Sequence, residues 1–81
     1  MYIYEIVDGE YEVYKNLSTA FRDAVKLLIE YNEKNKDKSW WTPERQAEAW
    51  TQLCSSYVDP QYTGFYVDDI VYCYEAKYHD N

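Results

Sequence analysis

Cys54, Cys73 and His79 are the residues of this 81-residue chain whose side chains most readily act as nucleophiles or bind transition metals. A catalytic cysteine needs a base that holds its thiolate, usually histidine. His79 lies among the last three residues, where chains usually fray. Two cysteines and one histidine without ligand spacing also fall short of a zinc site, so we expect no cysteine catalysis, no metal and no cofactor. Without a C-x-x-C pair or a secretory signal, reduced thiols are favoured, and a disulfide between the two cysteines is the alternative.

Carboxylates are the other groups that could do chemistry, because fifteen acids offer many pairs for general acid–base catalysis. A chain of this length with two glycines, Gly9 and Gly64, has little material for a deep pocket. Two isolated glycines also cannot form a phosphate loop or a dinucleotide fingerprint. We interpret "DGE" and "VDD" as turns, since neither resembles a calcium-binding loop. The sequence predicts a protein that is not an enzyme, and a small enzyme with facing carboxylates is kept as an alternative.

The charge is unevenly distributed along the chain. Residues 1–14 contain four acids and residues 57–76 contain four more, and neither segment contains a lysine or arginine. The middle segment, 15–56, is close to neutral, so the acids behind the net charge of −7 lie towards the two ends. Such segregated charge suits association with a positively charged partner, although acids also keep a small domain soluble.

Length and hydropathy limit the class of protein. The chain is long enough for one domain, 1–81, and its 20% of aromatic residues argue against disorder. No window approaches the roughly 18 uninterrupted apolar residues of a membrane span. The first residues, "MYIYEIVDGE", lack a basic segment followed by an apolar run. We expect a cytoplasmic protein that does not bind membranes.

Strands are predicted near both ends of the chain. "MYIYEIVDGEYEVYK" predicts a hairpin, because β-favouring residues flank Asp8-Gly9, a pair that tolerates the positive φ values of a type I′ turn. "FYVDDIVYCYEAKYH" is again rich in β-favouring residues. We interpret Asp68-Asp69 as the turn of a second hairpin, with a bulge in one long strand as the alternative.

Two helices are predicted between the hairpins. The first is expected to be capped by Ser18 and to run to about residue 35. The second is expected to begin with a Thr42 cap followed by Pro43. The apolar residues at helical spacing are Leu17, Ala20, Phe21, Ala24, Val25, Leu28 and Tyr31 in the first helix and Ala47, Trp50, Leu53, Cys54 and Tyr57 in the second.

The element order ββααββ predicts a small α+β domain, an antiparallel sheet with two helices packed on one face. The other face would then keep tyrosines or aliphatic residues beside carboxylates, a composition suited to a contact surface. Trp50 belongs to a helical core stripe, whereas Trp40 and Trp41 do not. One of these two is expected to contact a partner, following the enrichment of tryptophan at interface hot spots. Trp41 is included among the candidate residues, and Trp40 is the alternative.

Tyrosines on strands suggest two kinds of partner. They form stacking platforms in several RNA- and single-strand-binding modules, but those platforms lie in positive surroundings. The acids on these strands disfavour direct nucleic-acid binding and favour a basic protein partner instead, with tyrosines supplying contact area. The predicted partner-binding residues are Glu5, Glu10, Glu12, Tyr14, Trp41, Tyr66, Asp68, Asp69, Tyr74 and Glu75.

The hairpin "MYIYEIVDGEYEVY" leading into "LSTAFRDAVKLL", and the later "FYVDDIVYCYEAKY", give the chain an architecture that resembles the small acidic proteins of bacteriophages and other mobile elements. These include anti-CRISPR and anti-restriction inhibitors, several of which occupy the nucleic-acid channel of their target. The resemblance covers architecture and composition over the whole chain. It implies a stoichiometric inhibitor, acting as a nucleic-acid mimic in the host cytoplasm. Its target would be a basic surface of a CRISPR effector or another nucleic-acid-handling protein.

The alternative function is a self-associating regulatory or structural module, in which the apolar sheet face makes a homodimer. Binding to a basic partner should weaken steeply as salt rises, because salt screens exposed charges. Self-association through an apolar face should depend little on salt. The two hypotheses therefore differ in oligomeric state and in salt dependence.

Overall fold

The computed structural model describes residues 1–76, which form four strands and two helices. The strands are β1 (Tyr2–Ile6), β2 (Tyr11–Tyr14), β3 (Gly64–Val67) and β4 (Val71–Glu75), and the helices are α1 (Leu17–Asn35) and α2 (Pro43–Val58). The predicted α+β class and the order ββααββ are confirmed. Within this described part, neither helix combines the length and the apolar character needed to cross a membrane.

All four strands pair antiparallel in one sheet, in the order β2-β1-β4-β3. The two hairpins are thus joined through β1 and β4. Because these central strands run antiparallel, the two hairpin turns, residues 7–10 and 68–70, lie at the same end of the sheet. A hydrogen bond from the Val7 N–H to the Ile70 carbonyl (2.9 Å) connects the turns. We call these two segments together the turn end.

The first turn differs from the prediction by one residue. The Gly9 N–H donates to the Ile6 carbonyl (2.9 Å), so the central residues are Val7 and Asp8. Asp8 adopts the left-handed region (φ 61°) and Gly9 does not, whereas a type I′ turn needs positive φ at both central residues. The type I′ prediction is therefore wrong. Asp8 supplies the left-handed residue of this turn, because Asp tolerates that conformation better than most residues.

The second turn is built in the same way. The Ile70 N–H donates to the Val67 carbonyl (3.0 Å), which puts Asp68 and Asp69 at the centre, and Asp69 has a φ of 66°. Val67 and Val71 then face each other across the paired strands. The predicted hairpin at Asp68-Asp69 is confirmed, and the alternative of a bulge in one long strand is not observed.

Both helices begin close to the predicted positions. The first residue of α1 is Leu17, and Asn16 holds the cap position without a side-chain capping bond. Ser18 therefore lies inside the helix, and its predicted role as cap is wrong. The cap of α2 is confirmed: Thr42 Oγ1 accepts a hydrogen bond from the Arg45 backbone N–H (3.2 Å).

The core lies between the two helices and one face of the sheet. Side chains alternate between the faces of a strand, so every second residue points into the core. The buried residues on this face of the sheet are Tyr4, Phe65, Val67, Val71 and Cys73. The apolar stripe predicted for α1 is confirmed, with Ala20, Ala24 and Leu28 fully buried.

The predicted stripe of α2 is confirmed at Leu53, which is buried, and at Trp50 and Tyr57, which pack against the core, but the buried side is rotated relative to the prediction. Ala49, Leu53 and Ser56 are buried, whereas Ala47 and Cys54, which were expected in the stripe, are exposed. Hydropathy alone could not give this orientation, because one of the buried residues is polar.

The polar side chains of α2 explain the rotation, because they bind the outer edge of β3. Ser56 Oγ accepts from the Tyr66 N–H (2.9 Å), and Gln52 Oε1 accepts from the Asp68 N–H (2.9 Å). Gln52 Nε2 also donates to Asp68 Oδ2 (3.1 Å). These bonds satisfy main-chain groups that an edge strand otherwise leaves without a protein partner. The α2 helix is therefore positioned by hydrogen bonds to the sheet edge as well as by apolar packing.

Candidate interaction surface

The face of the sheet turned away from the helices is rich in tyrosine. Cross-strand pairing arranges it in two rows, each running across all four strands from β2 to β3. We call this surface the open face, and its rows are Val13, Ile3, Tyr74 and Gly64, and Tyr11, Glu5, Tyr72 and Tyr66. Tyr11 is 70% exposed, Val13 52% and Tyr74 40%. The predicted composition of tyrosines and aliphatic residues beside a carboxylate describes this face.

A hydrogen bond spans the middle of the open face. The Tyr74 hydroxyl donates to Glu5 Oε1 (3.0 Å), joining β4 to β1 through their side chains. This bond raises the pKa of Tyr74, because ionising the phenol would break it and place a second negative charge beside the carboxylate. The bond holds both side chains in one arrangement at the surface.

The open face continues beyond β3. Tyr62, 37% exposed, packs edge to face against Tyr66 with ring centroids 5.6 Å apart. Partial burial, together with Tyr66, raises the pKa of Tyr62. On β4, the Tyr72 hydroxyl oxygen lies 3.4 Å from the Asp69 backbone nitrogen and accepts a hydrogen bond from its N–H. This bond links the open face to the second turn. Several of these aromatic rings are therefore held in place by neighbouring groups.

The turn end is acidic. Asp8 and Glu10 come from the first turn, and Asp68 and Asp69 come from the second. All four residues are exposed. Within residues 1–76, the one salt bridge joins Lys36 to Glu33, so none of these four carboxylates has a basic side chain within bonding distance. Their charge is therefore available to solvent and to a partner.

Six of the predicted partner-binding residues lie on these two surfaces. Glu5, Tyr66 and Tyr74 belong to the open face, and Glu10, Asp68 and Asp69 belong to the turn end. The open face and the turn end meet, because β1 and β4 lead directly into the turns. The structure therefore brings these six residues to one continuous region.

Three other predicted residues, Glu12, Tyr14 and Glu75, lie on the helix-covered side of the sheet, in register with Tyr2 or Tyr4. The Tyr14 hydroxyl contacts the Glu12 carboxylate (2.7 Å) and the carboxylate of Asp23 on α1. Partial burial and these two contacts raise the pKa of Tyr14. Tyr14 therefore links β2 to α1 and does not belong to the open face.

Trp41 lies in the core, which corrects its assignment to a partner contact. Its side chain is 4% exposed, its Nε1 donates to Asn32 Oδ1 (2.9 Å), and its ring packs edge to face against Tyr31. It joins the end of α1 to the start of α2. Trp40 is the most exposed of the three tryptophans, at 49%. Trp50 packs against the core, as predicted.

The sequence-based prediction omitted Ile3, Tyr11, Val13 and Tyr72 from the contact set. Tyr72 shares its strand face with Tyr74, so the alternation along β4 already contained that signal. The side on which Tyr11 and Val13 lie follows from their pairing with β1, and that register depends on the turn geometry. Two predicted strand residues, Lys77 and Tyr78, and the histidine His79 lie outside the described residues.

One surface cleft brings carboxylates together, because Glu12, Asp23 and Glu30 line it beside Tyr14. Four surface clefts have volumes of about 230 to 390 Å³. No group of three or more His, Cys, Asp or Glu side chains in residues 1–76 could hold a metal ion. Both cysteines are free thiols, as predicted, so the disulfide alternative is not observed. Cys73 is fully buried, and burial raises the pKa of its thiol from 9.0 to about 11.

The comparisons with known proteins identify no relative of this chain. The inhibitor resemblance therefore stays a prediction, and the function has to be inferred from the open face and the turn end. No protein-family model, curated protein or solved structure matches this chain.

Proposed function

We propose that this protein is a non-enzymatic inhibitor that binds a positively charged, nucleic-acid-binding surface of a host defence protein. It binds through the open face and the turn end. The observation that supports this best is the meeting of two rows of tyrosine-rich side chains with exposed carboxylates from both turns. Following the resemblance to phage inhibitors, its place of action is the cytoplasm of the host cell, and its targets are CRISPR effectors or other nucleic-acid-handling proteins.

Charge selects the class of partner. Segments 1–14 and 57–76, which supply all four strands and both turns, contain eight acids and no lysine or arginine. Phosphates are repelled by such a surface, since nucleic-acid affinity depends on neutralising them with basic side chains. Arginine and lysine side chains of a partner can bind the carboxylates of the turn end and contact the tyrosine rings of the adjoining open face. Guanidinium groups both pair with carboxylates and stack on aromatic rings.

Preorganisation favours tight binding by this surface. Tyrosine offers a large contact area with few rotatable bonds, so it loses little entropy when a partner binds. Tyr74 is already held by Glu5, and Tyr66 is already packed against Tyr62. The open face therefore needs little reordering on association.

The test is a competition experiment with purified targets. A guide-loaded CRISPR effector and a restriction endonuclease are each bound to fluorescent target DNA, and the DNA anisotropy is followed as the protein is added at about 0.05 M and about 0.5 M salt. We expect DNA release that saturates at a fixed stoichiometry with at least one target. We also expect that the release is largely lost at the higher salt. Absence of binding to every target in the panel at low salt would contradict the proposal.

Two variants that remove the same number of charges distinguish the effect of the turn end from the effect of the net charge of the protein. The variant E10Q/D68N/D69N removes three carboxylates from the turn end, and E33Q/D37N/E44Q removes three exposed carboxylates elsewhere. We expect the first variant to lose affinity at least tenfold and the second to change it less than threefold. Equal losses would show that total charge, rather than this surface, carries the binding.

A further inference from the structure

We propose that two copies of this protein associate through the outer edge of β2, which joins their sheets into one eight-stranded antiparallel sheet. The inference does not depend on the proposed inhibitor function. It stands on the main-chain hydrogen bonding of the sheet edges and on the residues that a second copy would place opposite β2.

The two edges of the sheet are treated differently. The outer edge of β3 is covered by α2, whose Ser56 and Gln52 side chains accept from its N–H groups. The outer edge of β2 receives no comparable hydrogen bond from any other part of residues 1–76. Open edges readily pair with further strands, and proteins usually block them with prolines, bulges or covering elements. The sequence of β2, "YEVY", contains no proline.

The alternation of hydrogen-bonded pairs between β1 and β2 shows which main-chain groups of β2 point away from β1. The Ile6 N–H donates to the Glu10 carbonyl (3.1 Å), so these two residues form a hydrogen-bonded pair. Bonded and non-bonded pairs alternate along an antiparallel ladder, so the next β2 residue bonded to β1 is Glu12. The N–H and C=O groups of Tyr11 and Val13 therefore point away from β1. The side chains of these same two residues are 70% and 52% exposed.

Charge and face together select one register for a second copy. A twofold axis at Val13 pairs this residue with its copy, Tyr11 with Lys15 of the second copy, and Glu12 with Tyr14 of the second copy. Every pair in this arrangement is compatible, and the Glu12–Tyr14 pairing repeats a contact that already exists within one chain. Because opposed residues share a face, both pairs of helices lie on the same side of the joined sheet.

Other registers are worse for stated physical reasons. An axis at Glu12 places two carboxylates directly opposite each other, and like charges in that position are destabilising. A pairing shifted by one residue, with Glu12 opposite Val13 of the second copy, sets outward main-chain groups against groups already bonded to β1 and places core-facing residues on the open face of the other copy. An axis at Tyr11, the other outward-pointing residue, sets Glu12 opposite Glu10 of the second copy, which again opposes two carboxylates. The register centred on Val13 therefore fits best.

Salt separates this association from binding to a basic partner. Each copy carries a net charge of −7, so two copies repel each other at low salt. Main-chain hydrogen bonds and contacts between Tyr11 and Val13 side chains are little affected by salt. The dimer should therefore strengthen as salt rises, whereas binding to a basic surface should weaken. Failure of the dimer and failure of the inhibitor function are thus distinguishable.

The first test is the mass of the purified protein in sedimentation equilibrium. We expect a concentration-dependent shift from 9.8 kDa towards twice that mass, and a tighter dimer at about 0.5 M than at about 0.05 M salt. The variant Val13→Pro removes an outward N–H without removing a β1–β2 hydrogen bond, so it should be a folded monomer by circular dichroism and mass. A strict monomer up to about 1 mM for the unsubstituted chain would overturn the proposal.

The control variant is Tyr66→Lys, which changes the open face on β3, the strand farthest from β2. We expect it to remain a dimer. If Tyr66→Lys is a monomer and Val13→Pro remains a dimer, the copies associate through the open face, and the edge proposal is wrong.

Cross-linking tests the register and decides the question if Val13→Pro does not fold. In a Cys54→Ser background, Val13→Cys should form an intermolecular disulfide under mild oxidation. The Cα atoms of a bonded antiparallel pair are about 5.5 Å apart, which is within disulfide range. Tyr11→Cys in the same background should cross-link poorly, because it lies opposite Lys15 of the second copy. Efficient cross-linking of Tyr11→Cys but not Val13→Cys would overturn the register.

Discussion

The Tyr74 hydroxyl donates a hydrogen bond to the Glu5 carboxylate (3.0 Å), although the two residues are 69 positions apart in the sequence. Glu5 lies directly opposite Tyr72 on β4, so this bond runs diagonally to the next residue of the same face. It connects the two hairpins on the side that the helices leave uncovered. The same bond fixes one aromatic ring and one carboxylate of the proposed contact surface.

Replacing Glu5 should change how Tyr74 titrates. Its pKa is raised because its hydroxyl bonds to the Glu5 carboxylate, so Glu5→Gln should lower that pKa towards the ordinary value of 10.0. The measurement is a pH titration of the ¹³C-labelled tyrosine ring by NMR. Glu10→Gln, whose carboxylate does not bond to Tyr74, is the control and should leave the titration unchanged. An unchanged titration in Glu5→Gln would contradict the contact.

Gly64→Ala should strongly destabilise the protein. A Cβ atom at Gly64 would lie 2.0 Å from the Cys73 carbonyl oxygen, a backbone atom that can move only if β3 and β4 separate. We expect a loss of about 2 kcal/mol or more in the free energy of unfolding, measured by urea denaturation. Gly9→Ala is the matched control, because its Cβ would meet the Ile6 side chain at 3.2 Å, and a side chain can adjust. Equal losses in the two variants would show that this close backbone approach is not limiting.

Ser56→Ala should also destabilise the protein, through a lost hydrogen bond rather than through sterics. The buried Ser56 hydroxyl accepts from the Tyr66 N–H (2.9 Å), which the variant leaves without that partner. We expect a loss of about 1–3 kcal/mol in urea denaturation, with faster amide exchange at Tyr66. The neighbouring residue Ser55 is exposed, so Ser55→Ala should change stability by less than about 0.5 kcal/mol. Unchanged amide exchange at Tyr66 would argue against the role of the hydroxyl.

Alkaline pH should weaken the fold through Cys73. Burial raises the pKa of its thiol from 9.0 to about 11, so the folded protein keeps this proton when the unfolded chain has lost it. The resulting stabilisation is fully present below pH 9 and is lost as the pH rises towards 11. The free energy of unfolding should therefore fall by up to roughly 1.4 kcal/mol per pH unit in this window.

The test of that prediction is urea denaturation at several pH values between 8 and 10.5. Cys73→Ala removes the titrating group, so its unfolding free energy should fall less steeply between pH 9 and 10. Tyr4 contributes above pH 10 in both proteins, because burial also raises its pKa. Identical slopes between pH 9 and 10 would show that Cys73 is not responsible.

Local signals in the sequence were sufficient for the order of the elements. The apolar period changes from two to three or four after "EYEVYK", and Thr42 with Pro43 marks the start of α2. Both features act within a few residues, so tertiary contacts do not override them. The predicted hairpins and the α+β class follow from such signals.

Long-range contacts decided what the sequence did not reveal. The phase of α2 depends on hydrogen bonds from Ser56 and Gln52 to β3, and these polar residues carry no hydrophobic signal. Trp41 is buried because Asn32 accepts its indole N–H and Tyr31 packs against it, both from α1. Which residues join Glu5 on the open face depends on pairing between strands that are distant in the chain. The turn end was likewise not predicted, because only the β1–β4 pairing brings the two turns together.

The pairing of β1 with β4 also constrains how the chain reaches its native state. These strands are the two central ones of the sheet, and residues Tyr2 and Glu75 lie opposite each other. Either hairpin and both helices can begin to form from nearby residues, but the central pair closes a loop of about seventy residues at a substantial entropic cost. During synthesis, the amino-terminal hairpin must therefore wait for β4 to leave the ribosome. One edge of β1 stays unprotected until nearly all of the described chain has been made.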